Sequence, residues 1–279
     1  MTLEHLLGIG ETAVSGGNNP IVIGPEQLVL ALGFVLVAGV ISLVFQLGLT
    51  RSLLLGTLRT CVQLFAMGYA LQFIFAIKMS LPILAVFCVM VAAAAHIVRG
   101  RVPERDVSFG LPVFVTMILS YMLVGITVTG VVIGAKPWWE PQYFLPIGGM
   151  IAGNSMNALA IALERLFTGL RKSRTEIEMK LSLGADYREA SDAITKEAIR
   201  AGMIPSINSM MAVGLVSIPG MMTGQVLAGA DPALACRYQI VVMLMLVAST
   251  ALSSFAVVSI VRRMCFGRAH QLLLRPEND

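Results

Sequence analysis

Polar side chains inside an apolar run are the residues of this sequence best placed to do chemistry. The run PIGGMIAGNSMNALAIALERL, residues 146–166, carries Asn154, Ser155 and Asn157 within four positions. A polar group in hydrocarbon costs free energy unless it is paired, so this set predicts either hydrogen bonds between helices or a wet substrate path. Gly149 and Gly153 lie four positions apart, which predicts a close helix contact or a hinge.

A second polar set lies in the run IPSINSMMAVGLVSIPGMMTGQVLAG, residues 204–229. Pro219 and Gly220 interrupt this run, and Gly224 follows four positions later. Broken helices are where many transporters place a site or a hinge, whereas a plain kink is the alternative interpretation. The polar candidates for a substrate path in this run are Asn208, Ser209, Thr223 and Gln225.

Arg59 and Gln63 share one helical face of an earlier apolar run. A charge at the centre of a membrane span costs about 2.5–3.5 kcal/mol on insertion scales. Arg59 is therefore predicted either to snorkel or pair with Glu164, or to act directly in a substrate path. We expect Asn154, Asn157, Asn208 and Arg59 to face the protein interior, because polar side chains facing lipid are costly.

Cysteine, histidine and methionine give weaker evidence for a functional site than the polar residues of the apolar runs. The four cysteines have no short spacing and the three histidines lie far apart, so no metal centre and no catalytic residue is predicted. The 17 methionines include the pairs Met210–Met211 and Met221–Met222. Thioethers bind soft metals such as Cu(I), but methionine more often fills irregular gaps in a core.

Composition identifies the elements that must hold these residues. The 279-residue chain is 57% hydrophobic and only 13% charged, against about 25% charged in a soluble domain. An all-α, multi-pass protein of the inner or plasma membrane is therefore predicted, because lipid cannot satisfy open backbone groups. Seven stretches suit the roughly 20 residues that a spanning helix needs: Gln27–Leu47, Leu53–Ile77, Leu81–Val98, Gly110–Gly134, Phe144–Phe167, Ile204–Ala228 and Tyr238–Val261.

Basic residues give the orientation of these spans. With the N-terminus outside, 16 Lys and Arg fall in inside segments and 3 in outside segments. We therefore predict an external N-terminal segment over 1–26, a transmembrane permease domain over 27–263 and a cytoplasmic tail over 264–279. The basic bias belongs to loops rather than to one soluble face, so no nucleic-acid partner is expected.

The charged stretch 168–203 is predicted to be a cytoplasmic helix–glycine–helix segment. Ser173 with Glu176, and Asp186 with Glu189, form capping boxes for two helices. Gly184 stands where the first helix needs a residue that tolerates φ > 0. One apolar stripe follows the second helix through Tyr187, Ala190, Ile194, Ala198 and Ala201.

The ends of that segment complete the prediction. Gly202 is expected to end the second helix, and Pro205 to open the next span. No Lys follows a Gly anywhere in the sequence, so a Walker A loop is absent and any ATPase must be a separate polypeptide.

The segment EMKLSLGADYREA resembles the EAA-type cytoplasmic loop of ABC-transporter permeases, in which an acidic residue precedes a Gly by six positions, as Glu178 precedes Gly184 here. Met179 and Lys180 stand where that motif prefers alanines. The resemblance implies that this segment contacts an ATPase. Leu183 and Ala185, which flank the turn, are the residues expected to enter a groove on that ATPase. The implied coupling residues are Glu178, Leu183, Gly184, Ala185 and Asp186.

Four runs resemble the FetB (YbbM-like) permease family, whose plant relatives include STAR-type and aluminium-sensitivity permeases: GMIAGNSMNALAIALERL, INSMMAVGLVSIPGMMTGQVLAG, DPALACRYQIVVM and LRTCVQLFAMGYAL. The resemblance implies a permease homodimer in the lipid bilayer with a FetA-type ABC ATPase. ATP would bind that partner, with no cofactor on this chain, and the export of iron would support metal homeostasis and resistance to oxidative stress. Export of another metal or a nucleotide sugar stays open, as does a secondary transporter or channel without an ATPase, while a membrane enzyme fits less well.

Overall fold

The computed structural model describes residues 24–77, 79–104, 106–267 and 269–275, and it is built of α-helices. The predicted external segment over 1–26 lies almost wholly outside the described residues. The helices are α1 (Pro25–Val44), α2 (Thr50–Phe75), α3 (Ser80–Arg101), α4 (Gly110–Ile126), α5 (Pro141–Lys172), α6 (Arg174–Ser182), α7 (Tyr187–Ala212), α8 (Gly220–Leu227) and α9 (Pro232–Met264), with a π-helical continuation of α4 over Thr127–Val132.

Six of these helices are long and apolar enough to cross a membrane, namely α1, α2, α3, α4 with its continuation, α5 and α9. The prediction of an all-α membrane protein is therefore confirmed. The single helix expected over Ile204–Ala228 is wrong. That stretch consists of the second half of α7, a non-helical break over Val213–Pro219, and the short α8.

The helix α7 runs straight through the residues expected to end it. Gly202 lies against α5, where a Cβ would meet the Ala158 carbonyl oxygen at 2.8 Å and the Ala162 Cβ at 2.9 Å. This glycine therefore permits close packing of two helices, and it does not act as a stop signal. Pro205 is tolerated inside the same helix because it removes one backbone N–H without forcing the chain to turn away.

The break begins only after Ala212. The Ala212 carbonyl accepts a hydrogen bond from the Val216 N–H at 2.9 Å, and Gly214 adopts φ +85° with its N–H donating to the Ser217 carbonyl at 2.9 Å. These bonds close a tight turn in place of another helical turn. The interruption predicted at Pro219–Gly220 is thus real, but it starts six residues earlier.

Contacts along α9 show the direction of the neighbouring helices. Tyr143 of α5 lies beside Tyr238 of α9 at one end of the bundle, and Asn154 bonds Thr250 further along, so α5 and α9 run in parallel. In α7, Ser206 meets the same residue of α9, Thr250.

Nearer the start of α7, Thr195 meets Arg262, which lies later in α9 than Thr250. The helix α7 therefore runs antiparallel to α9. The segment from α7 through the break to α8 therefore carries the chain from one end of the bundle to the other, in the place of the expected sixth span. We call the end near Arg262 the charged end, since it holds the close of α5, α6, the start of α7 and residues 265–275. The opposite end, with Trp138 and Trp139, is the aromatic end.

The packed core lies among α3, α4, α5, α7 and α9. Large side chains such as Phe87, Tyr121 and Leu163 are fully buried there. The hairpin of α1 and α2 is different: Ser42 is its only buried residue in α1, and α2 contains none. Five helices therefore form the bundle of this chain, and two stand at its edge.

Candidate functional site

The turn between α6 and α7 has a precise backbone structure. Gly184 adopts φ +97°. Its N–H donates to the Leu181 carbonyl at 3.1 Å, and the Ala185 N–H donates to the Lys180 carbonyl at 3.1 Å. This is the Schellman pattern, which satisfies the last carbonyls of a helix and needs a left-handed residue after it. The predicted role of Gly184 is therefore seen in the backbone.

The start of α7 is capped as expected. The Asp186 carboxylate accepts from the N–H of Arg188 and of Glu189 at 2.7 Å each, and the Glu189 side chain accepts from the Asp186 N–H at 3.1 Å. These hydrogen bonds, first the one from Glu189, lower the pKa of Asp186. The predicted capping box at Ser173 is wrong: Ser173 occupies the N-cap position of α6, but its side chain makes no capping bond.

The turn presents an apolar side chain to the outside. Leu183 is 80% exposed and Met179, one turn earlier in α6, is 56% exposed. Glu178 forms an ion pair with Arg174 at 2.7 Å on the same short helix. Ala185 is half-buried. Of the five predicted coupling residues, Leu183 is thus the one that offers a free apolar surface to a partner.

A brace that the sequence did not predict holds this turn against the bundle. The Arg171 guanidinium at the close of α5 pairs with Glu104 at 2.7 Å and Asp106 at 3.3 Å, both from the α3–α4 loop. Asp106 also accepts from the Arg275 N–H at 2.9 Å, and this bond, with help from Arg171, lowers the pKa of Asp106. Arg174 donates to the Leu274 carbonyl at 2.6 Å.

Residues 265–275 complete the brace. Cys265, Phe266, Leu272 and Leu274 are buried, and the Tyr187 N–H donates to His270 Nδ1 at 3.2 Å. The described residues 265–267 and 269–275 therefore hold the start of α7, although the sequence analysis predicted no more than a cytoplasmic tail there. The apolar run Leu272–Leu274 was the available signal.

A groove between α5 and α7 opens near the charged end. It has a volume of about 630 Å³ and is lined by Glu164, Arg165, Glu197 and Arg200. Arg165 pairs with Glu197 across the groove. The ion pair of Glu164 with Arg59, one alternative from the sequence, is not seen among the described residues. The groove mixes both charges, so it suits a polar solute at the boundary of the apolar zone.

The predicted path residues separate into two groups. Asn154 lies inside the bundle, where its amide donates to Ser206 at 2.9 Å and to Thr250 at 3.0 Å. Ser155 is also buried, next to the fully buried Tyr121. These two residues tie α4, α5, α7 and α9 together, as the packing alternative predicts.

The residues of the second group do not face the interior, although this was expected of Asn157, Asn208 and Arg59. Asn157 is exposed and accepts from Arg101 Nη1, and Asn208 is exposed on the same side of α7 as the groove. Arg59 and Gln63 are exposed on α2, away from the core. Since α2 has no buried residue in this chain, their polar groups have no protein interior to face.

The remaining candidates lie around the break. Ser209 is exposed, and the Thr223 hydroxyl donates to the Pro219 carbonyl at 3.1 Å. The amide oxygen of Gln225 is buried without a hydrogen-bond partner among the described residues.

The predicted packing glycines differ in their surroundings. On α5, a Cβ at Gly149 would meet Met90 at 3.1 Å.

At Gly153, Gly220 and Gly224 a Cβ would meet nothing within 4 Å. The close approach predicted for Gly153 is therefore wrong. Closer approaches than that of Gly149 occur at Gly148, against Phe87 at 2.6 Å, at Gly169, against Ile194 at 2.7 Å, and at Gly202. The pattern of small residues alone does not say which of them meets a neighbour, so Gly149 fits the packing prediction and Gly153 does not.

A bundle of membrane-length helices with a braced polar turn at one end defines a multi-pass, all-α membrane protein. The chain belongs to the "Uncharacterised protein family (UPF0014)", whose model matches residues 25–266. It is 41% identical over 82% of its length to the UPF0014 membrane protein slr1647 of Synechocystis, of which 88% is covered. No solved structure matches this chain.

Two further relatives carry more informative names. The "Probable iron export permease protein FetB" of Escherichia coli is 34% identical over 89% of this chain and 95% of the relative. The Arabidopsis thaliana "Protein ALUMINUM SENSITIVE 3" is 32% identical over 87% of each chain. The resemblance to the FetB family and its plant relatives is therefore confirmed.

Proposed function

We propose that this chain is the membrane-spanning subunit of an ABC exporter, driven by a separate ATPase that binds the charged end. The observation that carries the proposal is Leu183, 80% exposed at the left-handed turn of Gly184 and held in place by the brace. Burying a Leu side chain that was exposed stabilises a complex by about 1.5–3 kcal/mol. A rigid apolar tip of this kind suits a groove on a soluble partner.

Coupling in this proposal is mechanical. ATP binds the partner, and its closure pushes the Gly184 turn. The capped start of α7 transmits the push, because Asp186 and the brace leave the turn little freedom to absorb it. Since α7 continues without interruption from Tyr187 to Ala212, about 39 Å at 1.5 Å per residue, a displacement at one end reaches the middle of the membrane.

Leu183→Asp tests the docking surface. We expect the variant to insert normally and to lose co-purification with an ABC-type ATPase produced together with it, because a charge replaces the apolar tip. Leu273→Asp is the matched control, since Leu273 is also an exposed Leu at the charged end, at 48%. Equal ATPase binding by both variants and the unmodified chain would remove the main support for the proposal.

A homodimer accounts for the exposed α1–α2 hairpin. Arg59 and Gln63 would face lipid in a single chain, at the cost that a charge in a span carries. A second copy packed on α2 would supply a protein surface for both. The molar mass in detergent, with and without Arg59→Leu, checks this: a dimer is expected for the unmodified chain, and a monomer would contradict it.

The groove of α5 and α7 is the proposed entrance for the substrate, with Asn157 and Asn208 further along the same surface. Iron is the proposed substrate because a relative is named as an iron export permease. Asn157→Leu is expected to reduce transport while the complex still assembles, and Met156→Leu, its neighbour, serves as control. Unchanged transport would place Asn157 with the packing residues.

Transport in proteoliposomes decides the class and the substrate together. We expect ATP-dependent movement of iron only when the ATPase is present, and none of a nucleotide sugar. Movement without ATPase would indicate a channel or secondary transporter. For orientation, we propose that the charged end is cytoplasmic, following the 16-to-3 basic bias. A reporter after Asp279 should be active only in the cytoplasm.

A further inference from the structure

Sulfur atoms line a cavity beside the helix break, between the close of α7, α8 and the first turns of α9. The cavity has a volume of about 460 Å³ and contains the side chains of Met210, Met222, Met243 and Cys236. Cys236 Sγ lies 3.9 Å from Met222 Sδ. Two sulfur atoms at this separation can both reach an ion between them, because a metal–sulfur bond is about 2.3 Å long.

A buried polar atom points to a missing occupant. Gln239 lines the same cavity and is only 6% exposed. Its Oε1 is buried, and no hydrogen-bond donor among the described residues reaches it. A buried acceptor without a donor costs about 1–3 kcal/mol, so it is seldom left alone in a folded protein. A cation in the cavity would supply the positive charge that this oxygen lacks.

We propose that this sulfur pocket, formed by Met210, Met222, Met243, Cys236 and Gln239, binds one soft monovalent metal ion, Cu(I) or Ag(I). Thiolate and thioether groups are the ligands that such ions prefer. Binding replaces the proton of the Cys236 thiol, which passes to water, with a metal–sulfur bond. The oxidation state of the metal does not change.

The charge of the pocket selects a monovalent ion. Among the described residues that line it there is no Asp, Glu, Lys or Arg, so Cys236 is the group of this lining that can become anionic. A thiolate with a monovalent cation forms a neutral pair. A divalent ion such as Fe(II) or Zn(II) would leave a net positive charge inside an apolar zone, which is costly. The sulfur pocket is therefore expected to discriminate against the divalent ions.

The break makes room for such a site. The break itself lines the cavity through Val213, Gly214, Ile218 and Pro219, and Gly214 turns the chain there at φ +85°. One methionine from each of the two pairs at the edges of the break, Met210 and Met222, therefore lines the cavity together with Cys236. The site goes beyond the ABC proposal, since it needs neither a partner nor ATP.

Metal binding to the purified full chain tests the proposal. Ag(I) titrated under anaerobic conditions by calorimetry, and Cu(I) in competition with a coloured Cu(I) chelator, should each give one ion per chain. Cys236→Ser combined with Met222→Leu should weaken binding by more than about 100-fold, because even an outer-shell partner of a metal costs about 10–100-fold when removed. X-ray absorption of bound Cu(I) should show a nearest shell of sulfur.

Cys61→Ser combined with Met67→Leu is the matched control, since both residues lie exposed on α2. It should bind as the unmodified chain does. Equal affinity of the two double variants, no binding by the unmodified chain, or an oxygen and nitrogen shell would each overturn the proposal. Melting temperatures with and without Ag(I) show whether the variants fold. Failure here leaves the ATPase proposal untouched, because binding is measured on the chain alone.

Discussion

The two ends of α7 are built in opposite ways. At Tyr187 the helix starts from a full capping box, its backbone meets His270, and residues 265–275 cover it. At Ala212 it ends in a break where Leu215 is 91% exposed and Val216 is 84% exposed. The first end is polar, capped and braced, and the second is apolar, uncapped and open.

This difference indicates a division of tasks along one helix. A capped and braced end moves as a unit, so it suits the transmission of force. An end that stops in a hydrogen-bonded turn beside a cavity has fewer packed neighbours to displace, so it suits the binding and release of a ligand. The comparison predicts that variants at the charged end change coupling, and that variants at the break change binding.

Gly184→Val is expected to have the largest effect. At φ +97° a residue with a Cβ costs about 1–2 kcal/mol, and 1.4 kcal/mol corresponds to tenfold. The turn should change shape, so stimulation of the partner ATPase should fall by at least about tenfold while the spans still insert. ATPase assays and co-purification on the assembled complex measure this.

Gly100→Val provides the matched control for that variant. Gly100 lies at the charged end of α3, has open space around it, and has no positive φ. Should Gly184→Val bind the ATPase and stimulate hydrolysis like Gly100→Val, the turn would not be the coupling element.

Gly202→Ala should have the next largest effect, because Gly202 lies where α7 packs closely against α5. The new Cβ would meet Ala158 and Ala162 below 3.0 Å, and overpacking of a core costs about 1–3 kcal/mol. Thermal unfolding in detergent should show a lower melting temperature. Gly153→Ala, with nothing within 4 Å, should melt like the unmodified chain. A reversed order would mean that α5 and α7 pack differently.

Gly202 and Gly153 show which packing features can be predicted from the sequence and which cannot. The period of small residues correctly marked α5 as a packing helix, since Gly149 meets Met90, but it included Gly153, where a Cβ meets nothing within 4 Å, and missed Gly148. Local signals succeeded where the physics is local: Gly184 and Asp186 act through hydrogen bonds within five residues. Gly202 failed as a stop signal because a tertiary contact, not its own backbone, sets its role.

The break and the brace depend on still more distant contacts. Arg171 joins Asp106 and Arg275, which are 65 and more than 100 positions away from it. No periodicity in one sequence encodes such a triad. Composition and apolar length, in contrast, identified the membrane helices, because the bilayer is a uniform solvent and imposes the same rule on each of them.

Asp186→Ala is expected to have a smaller effect at the braced end. The variant loses both capping bonds at the start of α7, and replacing such a cap by Ala costs about 1 kcal/mol. Hydrogen exchange of the first turn of α7 should accelerate, with the middle of the helix unchanged. Ser173→Ala should alter α6 little, since Ser173 makes no capping bond. Equal effects of the two changes would contradict the observed capping.

Asp106→Asn should have the smallest effect, and it depends on pH. The Arg275 N–H and Arg171 lower the pKa of Asp106, so the folded state binds this proton less readily than the unfolded state. Its stabilisation is therefore fully present above the ordinary Asp value of about 3.9, and it is lost as pH falls through the lower folded value.

The difference in melting temperature between Asp106→Asn and the unmodified chain should accordingly be small but constant near neutral pH, and it should shrink towards zero in acid. Asp192→Asn removes the same charge from an exposed pair with Lys196 on α7, outside the brace, and should change stability less at neutral pH. A difference for Asp106→Asn that grew in acid would mean that the protonated form makes the favourable contact. The brace would then rest on its buried apolar residues, such as Phe266 and Leu272, and not on the Asp106 carboxylate.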